Sequence, residues 1–139
     1  LSDFSTKVVI TDAGRAAIAS MIDTGVPALQ ISQFAVGTGG YLPTNPTVAL
    51  APDPTSTGLI NEIFRTNNVG RQILSPSIRA YIGELQPGDV VGAIGESGLF
   101  ATYLTGPNAG EVFLFALAHH PIKSITPEDG YTFSLVVPI

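Results

Sequence analysis

The segment from Val112 to Ala118 reads Val-Phe-Leu-Phe-Ala-Leu-Ala, and it restricts the fold more than any other part of the chain. Side chains of a strand alternate between its two faces. One face would hold Val112, Leu114, Ala116 and Ala118, the other Phe113, Phe115 and Leu117, and both are apolar. Such a strand is buried on both sides. Two arrangements satisfy it: a two-layer core within one domain, or a core on one side and a neighbouring subunit on the other. The residues themselves leave both open.

The flanking pattern supplies the strand's neighbours. Leu99–Leu104 and Glu111–His119 are predicted as two strands joined across Gly106-Pro107-Asn108-Ala109-Gly110, an antiparallel hairpin with a longer loop. Ile78, Ala80 and Ile82 alternate with Arg79 and Tyr81, and Gln86-Pro87-Gly88-Asp89 forms the following turn. Ile122–Ile125 is expected as a short separate strand after Pro121. Beyond a turn at Pro127-Glu128-Asp129-Gly130, Tyr131, Phe133, Leu135 and Val137 mark the last strand.

The first half is more varied. Lys7–Ile10 is a short β-branched run. Ala17, Ile18, Met21 and Ile22 then fall on one helical face, with Thr11 as N-cap, Asp12 at the positive end of the helix dipole and Gly25 as the stop. Leu29–Val36 reads as a strand ending in Gly37-Thr38-Gly39-Gly40. Residues 41–57 contain Pro43, Pro46, Pro52 and Pro54, and proline neither donates to a ladder nor leaves its predecessor free. This stretch is expected to be an extended ordered arm, of a length usually tied to function or to a partner. Leu59, Ile60, Ile63 and Phe64 repeat the helical spacing, so Gly58–Arg65 is predicted as one or two helical turns. With 139 residues and no internal repeat, residues 1–139 form a single domain. The expected fold is α+β: an N-terminal helix with a mostly antiparallel β-sheet, closed as a sandwich or a partial barrel.

Charge narrows the partners. Only six Lys and Arg are scattered along a chain of net charge −5, which argues against nucleic acid and against an anionic membrane surface. No apolar run approaches the ~20 residues of a membrane-spanning helix. The start, Leu1-Ser2-Asp3-Phe4, has neither an initiator Met nor a signal-peptide layout, as expected of a processed chain or a piece of a longer one. Charged residues make up 12% of the chain, about half the usual share. An ordinary solvated surface is hard to furnish from that inventory, so much of the exterior is expected to be covered by other protein.

Few residues offer chemistry. His119 and His120 are the only histidines, and adjacency in a strand sends them to opposite faces, so one chain cannot grip a metal with both. They read as structural, with an axial metal in a symmetric oligomer as the other reading. Gly95-Glu96-Ser97-Gly98 misses the G-x-S-x-G nucleophile elbow by one position, because Leu99 stands where Gly is needed. Gly37-Thr38-Gly39-Gly40 fits no phosphate-loop spacing. Glu128-Asp129 is the only adjacent acidic pair and sits in a turn. With no Cys there is no disulfide and no thiolate nucleophile. No catalytic, cofactor-binding or metal-ligating residue is assigned.

Five blocks in order carry a resemblance: Ile10-Thr11-Asp12-Ala13-Gly14 opening an Ala-rich helix, Phe34-Ala35-Val36-Gly37-Thr38-Gly39, Tyr41-x-Pro43-Thr44, Asn61-Glu62-Ile63-Phe64-Arg65, and Ile94-Gly95-Glu96-Ser97-Gly98-Leu99-Phe100. Together they resemble the N-terminal (tail-collar) domain of tail-fibre proteins from contractile-tailed phages, over nearly the whole chain. The resemblance implies a structural virion protein of the phage tail, near the baseplate, commonly a homotrimer, without enzymatic activity or cofactor. The chain departs from it in the early Gly25, in the Pro-rich arm, and in stopping at Ile139 where a fibre would continue.

The expected function is therefore a tail-fibre base or fibre-attachment adaptor, docking onto baseplate protein and onto a longer fibre. Its expected contacts are Ser2–Thr6, with Phe4 as apolar anchor, and the arm around Tyr41 and Leu42, since aromatic anchors on extended segments are favoured contact residues. The competing reading has Phe4 and Tyr41 covering their own core. A different class of function also fits a β-rich chain: a carbohydrate-binding β-sandwich reading a host-surface glycan. For that reading the chain offers no Trp and only Tyr41, Tyr81, Tyr103 and Tyr131 as stacking surfaces beside its Phe residues.

Overall fold

The computed structural model describes residues 2–128 and 130–138, without the side chains of residues 2–4. In chain order the elements are β1 (Ser2–Lys7), β2 (Val9–Ile10), α1 (Asp12–Thr24), β3 (Leu29–Gly37), β4 (Tyr41–Leu42), β5 (Asn45–Ala49), β6 (Glu62–Thr66), β7 (Val69–Ser75), β8 (Ile78–Leu85), β9 (Gly92–Tyr103), β10 (Val112–Ile125) and β11 (Tyr131–Pro138). A four-stranded sheet has the order β1-β11-β8-β7, a five-stranded sheet the order β2-β10-β9-β3-β6, and β4 pairs only with β5. All pairings are antiparallel except β1 with β11. The class is α+β as expected, with one helix and a predominance of strand.

One buried cluster draws on both large sheets. Phe133, Leu135 and Val137 of β11 meet Phe34 and Val36 of β3, Leu99 and Ala101 of β9, and Phe115 of β10. The rings of Phe34 and Phe133 lie 5.6 Å apart across the sheets. Burial of each such side chain contributes about 1.5–3 kcal/mol. The opposite face of the five-stranded sheet carries a second cluster, Ala35, Phe100, Leu114 and Leu117, packed under Leu59. There the Arg65 guanidinium stands 3.8 Å above the Phe100 ring. The doubly apolar run of β10 is thus buried on both sides within one chain.

Its faces are not those of simple alternation. The register of β10 on β9 shifts between Leu114 and Ala116, so Phe115 and Ala116 together oppose one step of β9. A bulge of this kind moves every later side chain to the other face. Hence Phe115, Ala116 and Ala118 share the core cluster, while Leu114 and Leu117 face the other way. The extra residue also leaves carbonyls that the ladder does not use, and Thr11 takes them. Its hydroxyl donates to the Leu114 carbonyl at 2.7 Å and accepts from the Gly14 N–H at 3.0 Å, and its own N–H donates to the Phe115 carbonyl at 2.9 Å. One buried N-cap therefore starts α1 and finishes the bulge.

The helix ends as expected, at Gly25 with φ of 78°, whose N–H reaches the Met21 carbonyl. Its packed face is shifted toward the N-terminus, where Gly14 and Ala17 are buried while Ile22 is 79% exposed. A Cβ on Gly14 would fall 2.7 Å from the Phe115 carbonyl oxygen. The close approach is at the small residues, which leaves the last turn outside.

Several expectations are corrected. Gly58–Arg65 is not helical: residues 62–66 form β6, an edge strand on β3. The Lys7–Ile10 run is divided between β1 and β2, and Ser2–Thr6 belongs to β1, an edge strand on β11. Ile122–Ile125 is the end of β10, which passes through Pro121 because the register shifts again between His119 and Lys123. Proline is tolerated at such an irregularity. The arm holds a small hairpin, with Pro46 at the irregular step between the Leu42–Asn45 and Tyr41–Ala49 pairs. Asp129, part of the expected acidic turn, lies outside the described residues.

Candidate functional site

The most built polar region lies where the arm meets β9 and β10. Glu96 is fully buried, and its carboxylate accepts three backbone N–H groups: Gly39 at 2.9 Å and Asn61 at 2.8 Å on Oε2, and Ile60 at 2.7 Å on Oε1. Buried charge is costly unless it is hydrogen-bonded, and here the partners are amides of two loops that otherwise lack a ladder. The loop glycines make room for it, since a Cβ on Gly37 or Gly39 would lie 2.6 Å or 2.8 Å from Oε2. Glu96 thereby ties the end of β3 and the approach to β6 onto one point of β9.

Beyond this tie the arm is held at both ends. The Leu50 N–H donates to the Gly40 carbonyl, and the Leu50 carbonyl accepts from Nδ1 of His119 at 3.0 Å. Further along, the Pro54 carbonyl accepts the Asp12 N–H at the start of α1. Asp53 accepts the backbone N–H and the hydroxyl of Thr55, in that order the causes that hold its carboxyl below the usual carboxylate range. Nε2 of His119 is buried and has no hydrogen-bond partner among the described residues.

On the core side of β10, His120 faces Phe133, with ring centroids 6.2 Å apart. The histidines thus diverge, as their adjacency requires. Burial keeps the His120 imidazole below its ordinary value, against an opposing contribution from the Pro121 carbonyl. In the neutral ring Nδ1–H donates to that carbonyl at 3.0 Å, so Nε2 accepts from the Ser97 hydroxyl at 3.2 Å. The pair has the atoms of a hydroxyl–imidazole dyad, but Ser97 is fully buried and His120 nearly so. In this setting the contact bridges β9 and β10 within the core. No group of three or more metal-ligating residues occurs among the described residues.

Of the expected contact residues, Tyr41 and Leu42 come together on β4. Tyr41 is half-buried with its ring against Gly95, where an added Cβ would fall 2.4 Å from the ring. Leu42, Val48 and Leu50 form the exposed apolar rim of the arm. Phe4 belongs to the other sheet, where its backbone pairs with Phe133, and its side chain lies outside the described residues. The tie at Glu96 was not foreseen. Its only local signal is a carboxylate between glycines in an otherwise apolar strand, and its partners stand 35 to 57 positions away.

No protein-family model matches this chain, and no curated protein is similar to it in sequence.

Proposed function

We propose that the chain is a structural subunit of a larger protein assembly, and specifically the base or attachment adaptor of a phage tail fibre. In this reading it is a homotrimer in the virion tail that docks onto baseplate protein and onto a longer fibre, without catalytic turnover. Its two large sheets act as a rigid two-layer sandwich. The observation that carries the reading is the pair of open edges, β6 of one sheet and β7 of the other, consecutive in the chain and studded with apolar side chains. Ile73 is 72% exposed, and Leu74 and Ile63 are also exposed. Unpaired edges invite pairing with another chain and are normally blunted by charge. Here that blunting is thin on β7, and the low charge of the whole chain agrees with a surface meant for contacts. The doubly apolar β10 no longer argues for a neighbour, because its own chain covers it.

Light scattering coupled to gel filtration tests this. A stable trimer that falls to monomer in the Ile73→Lys/Leu74→Lys variant supports the subunit reading. A monomeric wild-type chain refutes it, and saturable binding on a glycan array would then favour the carbohydrate-binding alternative.

A further inference from the structure

A second region has the form of a ligand site and lies apart from the arm. Where α1 covers one end of the two large sheets, a cavity of about 290 Å³ opens between them. Its floor is core: Ile31, Phe115 and Val137, all buried. Ile18 and Met21 of α1 form an apolar wall. Polar groups enter from Arg71 of β7, Gln30 of β3 and Tyr81 of β8. One guanidinium nitrogen of Arg71 donates to the Ile31 carbonyl at 2.6 Å, which fixes the group beside the cavity. Among the described residues Arg71 has no carboxylate partner, unlike Arg65, which is paired with Glu62. Its remaining donors have no hydrogen-bond acceptor there either, whereas Arg79 is spent on main-chain carbonyls.

We propose that this cavity binds a small amphipathic carboxylate, with its aliphatic tail between the sheets and its carboxylate on Arg71. Pockets that accept such ligands combine mostly apolar walls with a few placed polar groups. The complementarity is specific on both counts. An apolar tail gains by leaving water for a surface of Ile, Met, Phe and Val side chains. A guanidinium presents paired N–H donors that match the two oxygens of a carboxylate, and the bond is charge-assisted. A phosphate ester or a sugar would find the lower part of the cavity without donors. This site does not depend on the assembly proposed above, and either can fail alone.

The test is calorimetric titration of the full chain with sodium octanoate, with octanol and sodium acetate as comparisons. Octanoate should bind saturably, one per chain, about tenfold tighter than octanol, while acetate should not bind measurably. Arg71→Gln should remove that advantage and leave octanol binding unchanged. Met21→Trp, which fills the mouth, should abolish binding of both, with folding of each variant checked by circular dichroism. Equal affinity for octanoate and octanol on the unaltered chain overturns the assignment, whatever the variants do. So does the absence of saturable octanoate binding, undiminished octanoate binding in folded Arg71→Gln, or undiminished binding of either ligand in folded Met21→Trp.

Discussion

Replacing Glu96 by Gln changes the identity of one heavy atom, an oxygen to a nitrogen, and should still loosen a whole loop system. The amide keeps one oxygen. Turned toward Gly39 and Asn61, it preserves those two bonds but sets an NH2 group against the Ile60 N–H, which now sits 2.7 Å from Oε1. Hydrogen bonds to an ionised acceptor contribute about 1.5–3 kcal/mol each, and a buried donor left without an acceptor costs about 1–3 kcal/mol. Against this, the neutral amide escapes the desolvation of a buried carboxylate that has no ion-pair partner among the described residues. Ile60 and Asn61 are exposed residues, so water can serve their amides once the loop lifts. The net cost expected is about 2 kcal/mol for Glu96→Gln and about 3 kcal/mol for Glu96→Ala, where all three acceptor contacts go. In a chain of this size that corresponds to a fall in Tm of roughly 6–10 °C for the Gln variant. The amides of Gly39, Ile60 and Asn61 should exchange with deuterium about thirtyfold faster, while those of the β9–β3 ladder change by the global loss alone. Calorimetry with residue-resolved hydrogen exchange measures both. A Gln variant melting with the wild type, with unaltered exchange at the three amides, would refute the reasoning.

Gly14→Ala should destabilise by about 1–3 kcal/mol although Ala is the better helix former, because the added methyl meets the Phe115 carbonyl and the Ile10 side chain; chemical denaturation decides the sign. Thr11→Val keeps the shape of the N-cap but removes the hydroxyl shared by the Gly14 amide and the bulge carbonyl, at a cost of about 1–2 kcal/mol in urea unfolding. Burial depresses the His120 pKa in the folded chain, so near and below the ordinary value of 6.5 the unfolded chain binds more protons. Its contribution to stability is therefore full above about pH 7.5 and is lost as pH falls through 6.5 toward the folded value. Urea midpoints measured from pH 8 to pH 5 should show this decline, reduced in His120→Gln.

Local chemistry was the legible part of the chain. Thr11 and Gly25 end the helix for reasons that lie within a few residues of them, and the alternation of Tyr131–Val137 needs only a neighbour on one face. Leu59, Ile60, Ile63 and Phe64 misled because their helical spacing spans two different elements. Leu59 covers the outer cluster, Ile60 points to solvent beside the Glu96 tie, and Phe64 belongs to β6. Helical periodicity cannot distinguish one element from two joined at a pinned backbone. The faces of β10 were misassigned for a related reason: a bulge is a property of pairing with β9 and Thr11, and nothing within Leu114–Ala116 announces it. Tyr41 and Leu42 were placed on the arm correctly, but the partner of the Tyr41 ring is Gly95, a residue visible only as a missing side chain far along the chain.

The parallel pairing of β1 with β11 sets the order in which the molecule can be finished. Residues 2–7 leave the ribosome before the strand that receives them, residues 131–138, which is made more than a hundred positions later. Through all of that interval β1 has no ladder, and β8 lacks the neighbour on its other side. The helix, the β9–β10 hairpin and the core face of the five-stranded sheet can assemble during synthesis. The four-stranded sheet must wait until residues 131–138 have been made, so a nascent chain stalled before residue 131 would present the five-stranded sheet's inner face to any chaperone within reach.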